Sequence, residues 1–227
     1  MGVQSLSNKP IVASDKPVCL VGGARIAKDA ISAVSTHAGA FVGVDAGADH
    51  LLAADVRPAA VIGDLDSLSD QARATFQTCL FEVTEQSTTD FEKALTRVAA
   101  PMVLGLGFTG GRLDHSLSVL NVMARHVQRA ILLIDRDDVS FVAPLGQVAF
   151  YLPHGTRVSI MPLGAATVTV TGVRWPFAEM VMAPNGFTSP SNAALGGRIS
   201  LQTDGPVLIT LPQAHLQTAM PASARAG

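Results

Sequence analysis

The sequence predicts an N-terminal α/β domain built on a parallel sheet, followed by a C-terminal antiparallel β-domain, a sandwich or roll. Up to about Asp135, short apolar runs alternate with segments of helical spacing, which is typical of a parallel sheet covered on both faces. Beyond Asp135 the runs are short, rich in β-branched residues and separated by Gly and Pro. Hydrophobic residues make up 48% of the 227 residues and aromatic residues only 5%, so the core must consist mainly of Ala, Val, Leu and Ile.

The α/β domain is predicted over residues 16–135, after a flexible lead-in over residues 1–15. Strands are expected in "PVCLVGG", "AFVGVDAG", "AAVIGD", "FEVTE", "MVLGLG" and "AILLID". Helices are expected in "IAKDAISAVSTHAG", "ADHLLAADV", "SDQARATFQTCL", "TDFEKALTRVAA" and "LDHSLSVLNVMARHV". Most of these strands are apolar throughout, as strands buried on both faces must be.

The β-domain is predicted over residues 136–213. Its strands are expected in "VSFVAP", "QVAFYLP", "TRVSIMPL", "ATVTVTGV", "GRISLQT" and "PVLITLP". No helical window of useful length occurs in this region. An Ala-rich tail that frays is expected over residues 214–227.

Charge and hydropathy exclude several classes of partner. The net charge is −2 and there is no long run of basic residues, which disfavours nucleic acid or an acidic membrane as the main partner. No stretch approaches the roughly 20 apolar residues of a membrane span. The N-terminal segment has polar residues and prolines where a signal peptide needs an apolar core. Cys19 and Cys79 match no metal-binding spacing and are expected to be reduced thiols. We therefore expect a cytoplasmic protein.

Acidic residues follow two of the predicted strands. Asp45 follows "AFVGV", Asp64 and Asp66 follow "AAVIG", and Asp90 opens the helix "TDFEKAL". Ligands bind at the carboxyl ends of the strands in an open parallel sheet, so these carboxylates should gather at one edge. If strand geometry continued through Asp66, Asp64 and Asp66 would share one face, about 6.5 Å apart. Their repulsion, about 2.5 kcal/mol at an effective dielectric constant of about 20, favours a divalent cation between them, and Mg²⁺ suits carboxylate and phosphate oxygens.

The segment "GLGFTGGRLDH" carries a G-x-G-x-x-G spacing over residues 105–110, between a predicted strand and a predicted helix. Asp135 lies at the end of the next strand, so the pattern resembles the dinucleotide-binding fingerprint and leaves open an NAD(P)-dependent oxidoreductase. The ionisable residues of "RLDH" in the first helical turn fit that motif poorly. A glycine turn followed by Arg and His suits a phosphate group equally well.

The motifs "VDAGADHL", "GDLDS", "TTDFEKAL", "GGRLDH" with Asn121 behind it, and "GVRW…SPSN…G" occur in the order seen in thiamine pyrophosphokinases. The chain resembles that family over about residues 17–212. The combination of GDxDS, TDxxKAL and GGRxDH at these intervals is far more specific than any one motif. The resemblance implies an α/β catalytic domain and a β-sandwich domain in a homodimer. Such enzymes use ATP and Mg²⁺ to convert thiamine to thiamine diphosphate with release of AMP.

The resemblance also implies site residues, position by position. The implied metal ligands are Asp45, Asp64 and Asp66, and the residues implied in pyrophosphate transfer are Asp64, Asp66 and Asp90. The implied nucleotide-binding residues are Thr89, Lys93, Gly110, Gly111, Arg112, Asp114 and His115. The implied thiamine-binding residues are Trp175, Ser191 and Asn192, which reach a site shared between subunits.

One departure from the family concerns the turn after the second strand. The family usually has Asp-Gly-Gly where this chain has Asp45-Ala46-Gly47. Alanine does not readily adopt a positive φ, so either φ is negative at Ala46 or the loop has a different shape. The altered turn also leaves open a non-catalytic protein that binds thiamine or a nucleotide.

The implied reaction is in-line attack of the thiamine hydroxyl on the β-phosphorus of ATP, with AMP as the leaving group. The protein contributes mainly positioning and charge neutralisation to such a transfer. Asp66 or Asp90 can accept the hydroxyl proton, and the sequence leaves both open.

Overall fold

The computed structural model describes residues 10–85 and 87–224, so most of the predicted lead-in lies outside the described residues. The chain divides into two compact units, one ending at Phe108 and one beginning at Thr109. The boundary predicted from the sequence follows Asp135, whereas the helix over residues 113–125 and the strand over residues 131–134 both belong to the second unit.

The first unit is built on a five-stranded parallel sheet. The strands of the whole unit, including the separate pair β1 and β6, are β1 (Val12–Ala13), β2 (Val18–Val21), β3 (Ala40–Val44), β4 (Ala60–Gly63), β5 (Leu80–Glu82), β6 (Val98–Ala99) and β7 (Val103–Leu106). The sheet has the order β7-β2-β3-β4-β5, and each strand is parallel to its neighbours. Every residue of β2, β4 and β7 is buried, which explains why these strands contain no charged side chain. The predicted parallel sheet is confirmed.

Short helices connect these strands and are shorter than their sequence segments predict. They are α1 (Ala30–Ser35), α2 (Gly47–Ala53), α3 (Asp70–Thr75) and α4 (Asp90–Thr96), with a 3-10 turn over Gln77–Cys79. α3 begins after Ser69, whose hydroxyl accepts a hydrogen bond of 3.1 Å from the backbone N–H of Ala72. α4 ends at Thr96, and β6 begins two residues later at Val98.

The end of the predicted lead-in is structured rather than flexible. β1 and β6 form a separate parallel ladder that pairs Val12 with Val98. The backbone N–H groups of Ile11 and Ser14 donate hydrogen bonds of 2.8 and 2.9 Å to the carbonyls of Arg97 and Ala99. Val12 is buried, so this short apolar segment is held by the core and by the backbone of a distant segment.

The second unit consists of two antiparallel sheets and two helices. The strands are β8 (Ile131–Ile134), β9 (Asp138–Val142), β10 (Gly146–Leu152), β11 (Arg157–Pro162), β12 (Ala166–Thr171), β13 (Phe177–Met182), β14 (Ser189–Ala193), β15 (Gly197–Thr203) and β16 (Val207–Pro212). The helices are α5 (Leu113–Arg125) and α6 (Leu216–Ser223). One sheet has the order β14-β11-β16-β9-β8 and the other β10-β15-β12-β13.

An apolar core joins the two antiparallel sheets. Along β12, Ala166, Val168 and Val170 are buried, and the residues between them are more exposed, which is the pattern of a strand with one face inward. The rings of Phe141 on β9 and Phe150 on β10 meet edge to face with their centroids 6.5 Å apart, which links one sheet to the other. The predicted antiparallel sandwich is confirmed.

The Ala-rich tail does not fray over its described part. Residues 216–223 form α6, which packs on β9 and β10. Ala219 and Ser223 are fully buried there. Small side chains allow the helix to lie close to the sheet, so an Ala-rich composition signals close packing here and not disorder. Residues 225–227 lie outside the described residues.

Neither cysteine forms a disulfide. Cys19 is buried within β2, and this burial raises the pKa of its thiol well above the usual range. Over residues 10–85 and 87–224, no helix has both the length and the apolar character needed to cross a lipid bilayer.

Candidate active site

The strand order of the first unit places its topological switch point at the carboxyl ends of β2 and β7. The chain runs outward from β2 through β3, β4 and β5, then returns to β7 on the other side of β2. Ligands bind at such a switch point in open parallel sheets. Gly22 follows β2 and Gly107 follows β7, and a Cβ added to Gly22 would lie 2.6 Å from the carbonyl oxygen of Gly107. The two backbones can approach this closely only because both positions lack a side chain.

Three carboxylates meet beside this switch point, at the ends of the parallel neighbours β3 and β4. One carboxylate oxygen each from Asp45, Asp64 and Asp66 lies within 4.8 Å of the other two. Oδ1 of Asp45 is buried and has no hydrogen-bond partner among residues 10–85 and 87–224. Burying an unpaired carboxylate oxygen is costly unless a cation binds it. Since every candidate ligand is an oxygen, the cluster fits a hard divalent cation such as Mg²⁺.

The loop after β4 does not continue as a strand, so the expectation of strand geometry through Asp66 is wrong. Leu65 has a left-handed backbone with a φ of 63°, and its side chain is buried against Leu68 and Ala72. The Asp66 N–H points back to Oδ1 of Asp64 at 3.4 Å. A guanidinium nitrogen of Arg73 donates a 2.5 Å hydrogen bond to the Leu65 carbonyl and holds the turn from α3. This turn, and not the pleat of a strand, brings the two carboxylates together.

The turn after β3 tolerates alanine at position 46. Ala46 has a φ of −53°, the first of the two alternatives that the sequence left open, and the positive φ of 49° belongs to Asp45. Gly47 is the position that cannot carry a side chain, because an added Cβ would overlap the carbonyl oxygen of Val21 on β2. The turn therefore accommodates alanine in place of the family's second residue without a positive φ at that position.

The electrostatic environment disfavours the charged form of Asp45. Burial raises the pKa of the Asp45 carboxyl, a hydrogen bond from Ser67 lowers it, and the charges of Asp90, Asp64 and Asp66 raise it, so that the pKa lies above its usual value. Oγ of Ser67 also lies 2.8 Å from Oδ1 of Asp66, so its single hydroxyl hydrogen is shared between Asp45 and Asp66. A cation among these oxygens would relieve the repulsion and favour the ionised form.

Lys93 is the buried counter-ion of this acidic group. Its side chain is only 3% exposed, and its Nζ lies 2.8 Å from Oδ1 of Asp90 and 3.7 Å from Oδ2 of Asp64. Burial lowers the pKa of Lys93, but its hydrogen bond to Asp90 and the charges of Asp90, Asp64 and Glu85 raise it above its usual value. The ammonium is therefore charged and joins Asp90 to the loop after β4.

Thr89 caps α4 and so places Asp90, the partner of Lys93, in the first turn of this helix. Its hydroxyl accepts a 3.4 Å hydrogen bond from the backbone N–H of Glu92, which leaves Asp90 in the first turn, one turn before Lys93. The helical spacing predicted the contact between Asp90 and Lys93. Three contacts at this edge carry no such sequence signal, because they depend on how distant segments pack: Lys93 with Asp64, Arg73 with Leu65, and Ser67 with Asp45.

Basic and acidic side chains cluster at the start of α5 in the second unit. Arg112 forms a bidentate pair with Asp114, with N–O distances of 3.1 and 2.5 Å. The hydrogen bonds from Arg112 lower the pKa of Asp114, and Oδ1 of Asp114 also accepts the backbone N–H of His115 at 3.0 Å. Gly110 precedes this group with a φ of 78°. Both side chains of the pair are exposed, so the pair contributes little stability and the guanidinium is available to another anion.

The spacing of glycines over residues 105–110 does not form a dinucleotide-binding turn. Gly105 lies inside β7, whereas that motif needs its first glycine in the turn. Asp135, the counterpart of the ribose-binding acid, accepts a 2.6 Å hydrogen bond from the hydroxyl of Thr109 and a 2.7 Å hydrogen bond from the N–H of Arg136. One of its oxygens therefore binds the segment after β7, and the other binds the backbone of the next residue.

The candidate thiamine residues lie on a loop and a strand of the β-sandwich. Trp175 lies in the loop between β12 and β13 and is 55% exposed, and Asn192 on β14 is 1% exposed. The Asn192 side chain is hydrogen-bonded to the backbone of Trp175. Ser191 is exposed with a φ of 59°, and its backbone N–H donates to the hydroxyl of Ser159 at 3.2 Å.

Curated proteins and solved structures similar to this chain are thiamine pyrophosphokinases. The thiamine pyrophosphokinase 1 of Oryza sativa subsp. japonica is 25% identical over 68% of this chain and 66% of its own length. The enzyme of Bacillus subtilis is 28% identical over 60% of this chain and 69% of its own length. The chain thus spans about two thirds of the curated relatives that it matches.

Solved structures share the fold over nearly their whole length. The thiamin pyrophosphokinase from Candida albicans superimposes with a TM-score of 0.75 at 15% identity, covering 93% of this chain and 95% of that one. The structure from Geobacillus thermodenitrificans gives a TM-score of 0.71 at 25% identity over 86% of this chain and 96% of that one.

Two family descriptions match successive parts of the sequence. Residues 31–134 match the catalytic domain of thiamin pyrophosphokinase, and residues 147–208 match its vitamin B1 binding domain. The two domains occur in the order of the two units, and together they cover most of the sequence. The chain belongs to the thiamine pyrophosphokinase family.

Proposed function

We propose that this protein transfers the pyrophosphoryl group of ATP to the hydroxyl of thiamine, giving thiamine diphosphate and AMP. The observation that carries the proposal is the cluster of Asp45, Asp64 and Asp66 at the carboxyl ends of β3 and β4, beside the switch point of a parallel sheet, in a chain of this family. Transfer of a polyphosphate needs its negative charge neutralised, and a carboxylate cluster provides for this by holding a cation.

Mg²⁺ is the cation proposed for this cluster. Asp45, Asp64 and Asp66 would hold it, and the unpaired buried oxygen of Asp45 supports this choice of ligands. When bound, Mg²⁺ would neutralise charge on the phosphate oxygens of ATP. Lys93 holds Asp64 and Asp90 in place from below the surface and balances part of their charge.

The proposed chemistry at the hydroxyl needs a proton acceptor. The O–H bond of thiamine breaks, its oxygen forms a bond to the β-phosphorus, and the bond from that phosphorus to the α-phosphate oxygen breaks to release AMP. The carboxylate of Asp66 or Asp90 takes the proton. Both side chains are at least partly exposed, so either is accessible to a substrate hydroxyl.

The nucleotide-binding residues are proposed on the start of α5 and on α4. Arg112 would exchange its partner Asp114 for a phosphate group, because a guanidinium binds both anions in the same bidentate way. The other nucleotide-binding residues proposed at this helix start are Gly110, Gly111, Asp114 and His115. Thr89 and Lys93, at the start of α4 and within it, are the other two residues proposed to bind the nucleotide.

The thiamine site is proposed to include Trp175 and Ser191 in a homodimer, with the site drawn from both subunits. Family membership supports this arrangement, and the catalytic carboxylates and Trp175 lie in different compact units. Thiamine is a flat cation, and an exposed indole face suits such a ligand.

One assay tests the proposed function. The protein is incubated with ATP, MgCl₂ and thiamine, and AMP and thiamine diphosphate are quantified together, with EDTA as the metal-free control. We expect equal amounts of the two products, and neither product with EDTA. Binding of thiamine and ATP without turnover would instead support a non-catalytic binding protein, and tight NAD binding without either product would support an oxidoreductase.

A further inference from the structure

The backbone of Trp175 is held by a single side chain. Trp175 lies in the loop of residues 172–176, outside the hydrogen-bond ladder of β12 and β13. Its N–H donates to Oδ1 of Asn192 at 3.1 Å, and its carbonyl accepts from Nδ2 of Asn192 at 2.9 Å. The carboxamide therefore takes the place that a neighbouring strand would occupy, and satisfies both backbone groups of the loop residue.

Asn192 has no hydrogen-bonding capacity left for a ligand. Besides Trp175, its Oδ1 accepts the N–H of Ala193 at 2.9 Å, and its Nδ2 donates to the hydroxyl of Ser189 at 3.2 Å. An amide group offers two donors and two acceptor positions, and all four are used here. Reversing the amide would set its NH₂ against two N–H donors, so the contacts also determine its orientation. With 1% of its surface exposed, the residue is out of reach of a substrate.

The position of the Trp175 backbone decides which face of the indole is free. The guanidinium carbon of Arg174 lies 5.0 Å from the centre of the Trp175 ring and covers one face. Arg174 is itself anchored, because its N–H donates to the carbonyl of Ala193 at 2.8 Å. A planar cationic ligand is therefore left with the opposite face, and only while the loop keeps its orientation.

We propose that Asn192 is a positioning residue that holds Trp175 for ligand stacking, and that Asn192 does not itself contact thiamine. The proposal rests on the proposed function, in which Trp175 stacks on thiamine. It differs from the role that the family resemblance implies, in which Asn192 binds the substrate.

A double-mutant cycle on the thiamine KM tests whether Asn192 acts through Trp175. Trp175→Ala should raise this KM by roughly 2- to 30-fold, the range for loss of a cation–π contact. Asn192→Ala should raise it within the same range in the wild-type background. In the Trp175→Ala background, Asn192→Ala should change the KM by less than about twofold, because no indole is left to position. A full effect of Asn192→Ala without the indole would mean direct contact with thiamine, and would overturn the proposal.

The lone Trp gives a readout that does not depend on activity. Asn192→Ala should lower the steady-state fluorescence anisotropy of Trp175, because the Trp175 backbone loses both of its hydrogen bonds to the Asn192 side chain. Thr203→Ala is the matched control, since the Thr203 side chain is also buried and bonds a neighbouring backbone group, Gly205, at 2.9 Å. This control should leave the anisotropy unchanged even if it lowers stability. Equal anisotropy in wild type and Asn192→Ala would contradict the positioning role.

A second variant keeps the test decisive if Asn192→Ala does not fold. Asn192→Asp preserves shape and both acceptor contacts but removes the donor to the Trp175 carbonyl, and should shift the anisotropy and the KM in the same directions. If the wild-type protein makes no thiamine diphosphate, the proposed function fails while the anisotropy comparison still tests the Asn192–Trp175 contact. If the enzyme is active and the cycle is additive, only the present inference fails.

Discussion

Two residues with a left-handed backbone, Asp45 and Leu65, lie in the loops at the ends of β3 and β4 that bring the three carboxylates together. Such a conformation is unfavourable for a residue with a Cβ and persists only where the surroundings enforce it. The buried Leu65 side chain and the hydrogen bond from Arg73 do so after β4. The backbone strain at these two residues accompanies the turns that bring the carboxylates of Asp45, Asp64 and Asp66 together.

Asp64→Asn tests the metal role of the cluster. Removing one negative charge should weaken Mn²⁺ binding, measured by calorimetry as a stand-in for Mg²⁺, and lower kcat/KM by about a hundredfold or more. Folding should be nearly unaffected, because Lys93 keeps its 2.8 Å contact with Asp90 while repulsion from Asp45 and Asp66 falls. We expect the free energy of unfolding to change by less than about 1 kcal/mol, or about 2–4 °C in Tm.

Asp70→Asn is the matched control for this charge change. Asp70 is an exposed carboxylate in the first turn of α3 and takes no part in the proposed site. The control should cost at most about 1 kcal/mol through the helix dipole and leave Mn²⁺ binding and turnover unchanged. Normal turnover of Asp64→Asn at saturating Mg²⁺ would refute the metal role.

At the scale of secondary-structure elements, the start of α2 is pressed against the end of β2. An added Cβ on Gly47 would overlap backbone atoms of Val21, and a central strand of the sheet cannot shift to relieve this overlap. Gly47→Ala should therefore destabilise the protein by about 3 kcal/mol or more. Thermal unfolding should show a fall in Tm of about 6 to 12 °C.

The reciprocal change at the neighbouring position serves as the control for Gly47→Ala. Ala46→Gly restores the family's Asp-Gly-Gly at a residue with a φ of −53°, a conformation that alanine adopts freely. It should cost only about 0.5–1 kcal/mol, from the greater freedom of glycine in the unfolded chain, and leave turnover unchanged. A stabilising or activating Ala46→Gly would show that the alanine disturbs the Asp45 turn.

At the scale of the whole molecule, the carboxylate cluster and Trp175 belong to different compact units. Mixing subunits tests whether these groups come from different chains of a dimer. Asp64→Asn and Trp175→Ala proteins are mixed after mild denaturation, refolded together and assayed at a thiamine concentration well below the KM of the Trp175→Ala protein, where a raised KM lowers activity most. Each mixed dimer with shared sites has one intact site, so random pairing should restore about one quarter of wild-type activity.

Two further measurements serve as controls for the mixing experiment. Each variant refolded alone should show no such gain. Sedimentation should give a dimer for the wild-type protein. No gain in activity in a mixture that sediments as a dimer would place each site within one subunit, and a fully active monomer would exclude the shared site altogether.

The sequence by itself determined the parallel sheet, the antiparallel sandwich and the order of the family motifs. These features depend on residues close together in the chain: apolar runs such as "AAVIG", the spacing that joins Asp90 to Lys93, and the alternation along β12. The spacing of apolar residues predicts which face of a helix or strand is buried, because the residues on one face recur at the repeat of that element. Asp45, Asp64 and Asp66 were predictable as a group because all three follow strands of one parallel sheet.

Only the tertiary structure decided how those residues are held. The left-handed turn at Leu65, the pairing of Lys93 with Asp64, the ladder of β1 with β6 and the packing of α6 all involve segments distant in sequence. The hydrogen bonds between the Asn192 side chain and the Trp175 backbone join residues 17 positions apart. No local pattern encodes such contacts, since their free energy arises only when the chain has folded and distant backbone groups need partners away from water.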